Sequence, residues 1–219
     1  MNEDKLAIKG IIFDMDNTLL RSRIDFQSMK RETYRYLVEA HFLPPGWNLD
    51  QHTTSTIITE ALSTHIMSPE RIREMWDIAK KHEVEGMKGA SLEEGVVQLL
   101  NELHHQYRLV IITNNAVEAA ETALREHHIG ALFDLIIGRE RMVRIKPSPN
   151  GFLNVLEHFN DTTAEEWISV GDAWIDGKAS QAAGISFVAY NGDPIKMQQH
   201  EVVPIGEISD IRELIRFLY

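Results

Sequence analysis

Residues 7–20 read AIKGIIFDMDNTLL, a short apolar run that stops abruptly on the carboxylates Asp14 and Asp16. The run from Ile8 to Phe13 is continuous and β-branched, which is the pattern of a strand buried on both faces in a parallel sheet. The same pattern returns at Leu109–Thr113, Phe133–Ile137, Trp167–Val170 and Ser186–Tyr190, with a short edge piece expected at Val202–Ile205. Amphipathic stretches of helical length lie between them. In SLEEGVVQLLNEL, Leu92, Val96, Leu99, Leu100 and Leu103 form one stripe, with Ser91 as N-cap and Glu94 at the capping-box position. Alanines dominate AVEAAETALREH, whereas GFLNVLEHF and ISDIRELIRFL carry larger apolar faces. Strand–helix alternation of this kind predicts an α/β fold, a doubly wound parallel sheet with right-handed crossovers.

One interval breaks the alternation. Residues 21–88 show no strand pattern and are too long for a loop. Asp25 is placed to cap a first helix, with Ile24 and Met29 as a hydrophobic staple and Phe26, Met29, Tyr36, Leu37 and Ala40 as its stripe. Pro44, Pro45 and Gly46 are expected to stop it. A weaker segment spans Thr54 to Ile66. Ser68–Pro69 then opens a third helix with Ile72, Met75, Trp76 and Ala79 in register, ending near Gly86. The expected organisation is an α/β core of residues 1–20 and 89–219 with a helical cap inserted over 21–88.

Bulk composition narrows the class. The 219 residues are 43% hydrophobic and 25% charged, as in soluble globular chains. No run of 18 apolar residues supports a membrane span, and the charged start MNEDKLAIKG is wrong for a secretory signal. The absence of cysteine excludes disulfides and thiolate metal sites, and fits a cytoplasmic location. A net charge of −11 argues against nucleic acid as a partner, because such binding needs a basic face. Nothing in the sequence sets an oligomeric state.

Four short polar segments fall at the carboxyl ends of the predicted strands or in the loops beyond them, where open α/β sheets bind ligands. They are Asp14-Met15-Asp16-Asn17-Thr18, Thr113-Asn114, Lys146-Pro147, and Gly171-Asp172 with Asp176. Each alone is an ordinary turn, cap or loop. Together and in this order they bring carboxylates, a hydroxyl and an ammonium to one rim.

This constellation resembles the haloacid dehalogenase superfamily, in the helical-cap phosphatase branch typified by phosphoglycolate phosphatases and β-phosphoglucomutases. The resemblance runs from FDMDNTLL to GDAWIDGKASQAAGI. It implies a Mg²⁺-dependent phosphatase acting on a small phosphorylated metabolite, with Asp14 as nucleophile and Asp16 as general acid/base. It further implies Thr113, Asn114 and Lys146 at the phosphate, and Asp14, Asp172 and the Asp16 carbonyl at the metal. Asp176 and Thr18 support them. A carboxylate attacking a phosphate dianion needs neutralising charge, which a divalent ion and Lys146 would supply.

Two positions depart from the resembled pattern. Asn17 stands where glycine is common, and asparagine tolerates unusual backbone angles. Trp174 is bulky within the last motif, and is expected to pack on the cap. Other readings fit less well. GDAWIDGKAS is not a P-loop, since five residues separate Gly171 from Gly177 and Ala179 replaces the hydroxyl that would hold a metal. Calcium binding by Asp14, Asp16 and Thr18 lacks the turn glycine, since Leu19 stands there. The doublets His104–His105 and His127–His128 lack zinc spacing and read as helix-end residues. Asp16 argues for phosphate chemistry over dehalogenation. Phosphoryl transfer to a sugar, and a silent binding module with the same fold, are the alternatives. Arg21, Arg23, Lys30, Arg31 and Arg35, like Arg139, Arg141 and Arg144, are expected mainly on solvated faces. Lid motion of the cap is expected to gate access to the site.

Overall fold

A computed structural model describes residues 7–218; the charged start over residues 1–6 and residue 219 lie outside the described part. The chain divides into two compact units, one running up to Arg21 and resuming at Ser91, the other formed by Ser22–Ala90.

The first unit is built on β1 (Gly10–Phe13), β4 (Arg108–Ile112), β5 (Leu135–Ile137), β6 (Trp167–Gly171), β7 (Ser186–Tyr190) and β8 (Gly206–Ile208). They form one sheet in the order β5-β4-β1-β6-β7-β8, with every pairing parallel. The order doubles back from β1, so the chain winds outward to both edges as a doubly wound α/β sheet. β1 is fully buried at its centre, with Ile11, Ile12 and Phe13 almost without exposure. Its crossovers are α4 (Val96–Leu103), α5 (Val117–Glu126), α6 (Asn150–His158), α7 (Trp174–Ala182) and α8 (Pro194–Gln199). A two-stranded antiparallel ribbon, β2 (Leu20–Arg21) with β3 (Ser91–Leu92), joins the residues on either side of the helical unit.

The helical unit contains α1 (Phe26–Glu39), α2 (Thr54–Ser63) and α3 (Pro69–Met87). Leu37, Ile57, Ile58, Ala61 and Met75 make its core. Asp25 caps α1, accepting hydrogen bonds from Ser28 N at 2.8 Å and from Ser28 Oγ at 2.6 Å. Ser68 caps α3, with Pro69 as its first residue. Lys30 is buried within this unit, where its ammonium donates to the Leu49 carbonyl at 2.6 Å and the His52 carbonyl at 3.1 Å. It is a structural tie, not part of a solvated basic face.

Several expectations are corrected. Ser91 does not cap a helix, because Leu92 pairs with Leu20 and Glu93 N–H donates to the Leu19 carbonyl. Gly95 at φ 84° then separates the ribbon from α4, whose buried stripe keeps Val96, Leu99, Leu100 and Leu103. α1 stops before Pro44. His41 adopts φ 60°, its N–H bonds Val38 O, and Phe42 N–H bonds Leu37 O, a Schellman closure. Phe26 is 40% exposed and so leaves the α1 stripe. The strand expected from Phe133 begins only at Leu135, after a 3₁₀ turn over Gly130–Leu132. The edge strand is Gly206–Ile208, not Val202–Ile205, because Val202 N–H closes α8 onto Met197 O. Ile211–Phe217 winds as a 3₁₀ helix, and the three-residue spacing of buried Ile211 and Leu214 suits that tighter turn.

Candidate active site

β1 lies between β4 and β6, with Phe13 in register with Ile111 and with Val170. Three neighbouring strands therefore end together, and Asp14, Thr113 and Asp172 follow on one rim. Asp14 N–H donates to Val170 O and Thr113 N–H to Ile137 O, both at 2.9 Å, so each residue is still held by the ladder as it leaves its strand.

Lys146 joins this rim from the loop that precedes α6. Only 2% of its side chain is exposed, and its Nζ lies 2.6 Å from Asp14 Oδ1, 2.6 Å from Asp176 Oδ1 and 2.8 Å from the Ile112 carbonyl. The Asp176 contact is an ion pair without hydrogen-bond alignment. On the other side of Asp14, Thr18 Oγ1 approaches Oδ2 at 3.4 Å. Carboxylate oxygens of Asp14, Asp172 and Asp176 all lie within 4.8 Å of one another. Asp176 is fixed by the Ala173 N–H, which donates to its Oδ2 at 3.1 Å across the first turn of α7. Glycine at 171 is needed for this fit, since a Cβ there would come within 2.8 Å of the Asp176 side chain.

Asp16 stands on the turn that follows β1. Asn17 takes φ 57°, a left-handed angle that asparagine accepts, while Leu19 and Leu20 N–H both return to Met15 O. The Asp16 carboxylate receives a 2.6 Å hydrogen bond at Oδ2 from Asn115 Nδ2. Asn115 is absent from the motif residues singled out in the sequence. Thr113-Asn114-Asn115 carries two adjacent amides, and spacing alone does not say which faces Asp16. Asn114, expected at the phosphate, has both ends of its amide on the Lys146 backbone. The buried Thr113 hydroxyl accepts from Asn115 N–H at 3.1 Å, which leaves its own O–H to donate.

Electrostatics reflect this crowding. Burial, and then the Asp176 carboxylate, push Asp14 well above the usual carboxylate range, against the pull of Lys146. Burial and the neighbouring Asp176 and Asp16 carboxylates raise Asp172 to about 7. Burial by itself would lower Lys146, but Asp14 and Asp176 outweigh it and hold the ammonium above its ordinary value. The site thus carries more negative charge than one ammonium neutralises.

Trp174 stacks on His200 with ring centroids 3.5 Å apart and packs beside Phe187, Ala189, Met197 and Val202 within the α/β unit. Arg139 is buried and so is not a solvated loop cation, whereas Arg141 is exposed as expected and donates to the Ile136 carbonyl. His41, His104, His127 and His128 lie at helix ends. No helix among the described residues is long and apolar enough to cross a membrane.

Comparison with known proteins agrees with the fold. The family model described as haloacid dehalogenase-like hydrolase matches residues 11–190. A phosphoglycolate phosphatase of Aliivibrio fischeri is 30% identical over 90% of this chain and 92% of its own. The pyrophosphatase PpaX of Halalkalibacterium halodurans is 25% identical over 82% of each chain. Among solved structures, the magnesium-bound HAD-hydrolase YfnB of Bacillus subtilis superposes with a TM-score of 0.63 at 23% identity, covering 97% of this chain and 99% of that one. The match over residues 11–190, together with a relative of this identity along nearly the full length, shows that the chain belongs to the haloacid dehalogenase-like hydrolase family.

Proposed function

We propose that this hydrolase is a Mg²⁺-dependent phosphatase that cleaves a small phosphomonoester through an aspartyl-phosphate on Asp14. The observation that carries the reading is the buried Lys146 ammonium shared by Asp14 and Asp176, beside the further carboxylate of Asp172. A buried, unbalanced cluster of this sort costs stability unless a cation joins it. All its donors are hard oxygens, which fit Mg²⁺ and not a thiolate-seeking metal. Asp14 and Asp172, with the Asp16 carbonyl, would hold the ion, and Asp176 would support it. When bound, it would neutralise phosphate charge and hold a phosphate oxygen.

The protein's own groups then divide the work. Lys146 holds Asp14 Oδ1, and the Thr18 hydroxyl approaches Oδ2. One Asp14 oxygen attacks phosphorus, forming the acyl-phosphate bond as the ester P–O bond breaks. Asp16 gives a proton to the departing oxygen, then takes one from the water that cleaves the acyl phosphate and releases inorganic phosphate. The Thr113 hydroxyl, its acceptor side occupied, donates to a phosphate oxygen. Within this reading the helical unit is the cap and sets the substrate. The named relatives suggest the phosphomonoester 2-phosphoglycolate as the first candidate, with pyrophosphate, an anhydride whose P–O bond would break in the same way, beside it.

A phosphometabolite screen containing both compounds, run with Mg²⁺ and with EDTA, tests the proposal. Phosphate release that needs Mg²⁺ and vanishes in Asp14→Asn supports it. Release that survives Asp14→Asn removes Asp14 as nucleophile. Transfer to an added sugar in preference to water assigns the transferase alternative, and silence across the panel favours the binding module. A readout independent of turnover is thermal stability. Mg²⁺ at 100 times its dissociation constant should stabilise the protein by about 2.7 kcal/mol, an effect that Asp172→Asn should lose.

A further inference from the structure

We infer that Asn115 is the positioning residue for Asp16, holding its carboxyl group by one oxygen and so fixing the orientation in which the acid meets the leaving group. This rests on the phosphatase reading above and names the part of the chain that aims its acid. The contact is short, 2.6 Å from Asn115 Nδ2 to Asp16 Oδ2, and Asn115 is only 5% exposed. An amide N–H can only donate, so Oδ2 is committed as its acceptor and the carboxyl group is held in one orientation.

The amide is built to stay there. Asn115 N–H donates to Thr113 Oγ1 at 3.1 Å, and its carbonyl accepts from Arg139 N–H at 3.0 Å. Both sides of the backbone are therefore tied. Gly138 permits the second tie, because a Cβ there would come within 2.9 Å of the Asn115 carbonyl oxygen. Asp16 itself rides on a tight turn, with Asn17 at φ 57°, and its side chain gains a fixed direction from the neighbouring strand end. Asn115 thereby links the end of β4 to the turn after β1, two elements whose separation sets where the proton is delivered. A carboxylic acid free to rotate delivers its proton less often to the right atom.

Leaving-group dependence tests this, because an alkoxide needs a proton to depart and a nitrophenolate does not. In Asn115→Ala, turnover of an alkyl phosphate should fall about 10- to 100-fold, and that of 4-nitrophenyl phosphate by less than about 3-fold. The ratio of the two rates is independent of how much protein folds. In an Asp16→Ala background, Asn115→Ala should cost the alkyl phosphate nothing further. Equal losses on both substrates, or an undiminished further loss in the Asp16→Ala background, would overturn the inference while leaving the phosphatase reading intact. Turnover by the unmodified protein that does not require Asp14 would instead sink the phosphatase reading itself.

Discussion

Asn114 and Lys146 are joined by a closed pair of hydrogen bonds. Asn114 Nδ2 donates to the Lys146 carbonyl at 3.0 Å, and Lys146 N–H donates to Asn114 Oδ1 at 2.9 Å. The loop that carries the buried ammonium is thus pinned to the residue after Thr113, and the lysine's position is set through its backbone. Asn114→Ala should remove both bonds and leave the partly buried Lys146 N–H without its acceptor. The expected cost is about 1–3 kcal/mol in urea unfolding. Turnover should fall through kcat, because the displaced group is the one that orients Asp14. A kcat unchanged from that of the unmodified protein would show that the side chain of Lys146 holds its place without the loop.

Gly171→Ala should act on Asp176. The added methyl would meet the Asp176 Cβ, Cγ and Oδ2 at 2.8 Å. The carboxylate is held by the Ala173 N–H and by Lys146, so it has little freedom to retreat. Overpacking of this kind costs about 1–3 kcal/mol. A shifted Asp176 should also weaken the Mg²⁺-induced rise in melting temperature. Magnesium titrations by differential scanning calorimetry check this, and an unaltered metal response would mean that Asp176 lies outside the metal's reach.

The sheet and its polar rim were legible because both depend on short-range chemistry. Ile11 to Phe13 can be buried only as a central strand, and a strand that ends in Asp14 must deliver that carboxylate to the rim. Asp25 and Ser68 announced the starts of α1 and α3 because caps are local. What stayed hidden depends on tertiary geometry. The choice between Asn114 and Asn115 follows from which amide the loop of Lys146 claims. Ser91 looked like a cap because nothing in its own neighbourhood reveals Leu20 as the partner of Leu92. Lys30 looked exposed because two carbonyls from distant residues receive its ammonium. Gly95 carried a signal that the helical stripe around it overrode.

His200 gives a pH dependence whose sign follows from its surroundings. Burial against the Trp174 ring, and then the Lys178 ammonium, hold its pKa below the usual histidine value. The unfolded chain then takes up the proton first, near pH 6.5. The neutral stack contributes its full stability above that pH, and loses it as pH falls through the lower folded value. Unfolding midpoints in urea between pH 7.5 and 5 should therefore drop more steeply for the unmodified protein than for His200→Phe. Parallel slopes would mean that the ring protonates as readily in the folded protein as in the unfolded one.

His41 closes α1 at a cost that glycine would avoid. Its φ of 60° is left-handed, and the Schellman bonds from His41 and Phe42 require that angle. A side chain in this region costs about 1–2 kcal/mol, whereas glycine adopts it freely. Glycine gives back part of that gain, about 0.5–1 kcal/mol, through its larger entropy when unfolded. His41→Gly should therefore stabilise the protein by about 0.5–1 kcal/mol, seen as a higher urea midpoint at unchanged m-value. His65 and His128 occupy the same angle after α2 and α5, at φ 56° and 57°, and should respond alike. Pro44→Ala should leave the end of α1 where it is, because the helix has already closed at His41. A lower midpoint for His41→Gly would show that the imidazole makes a contribution larger than its backbone strain.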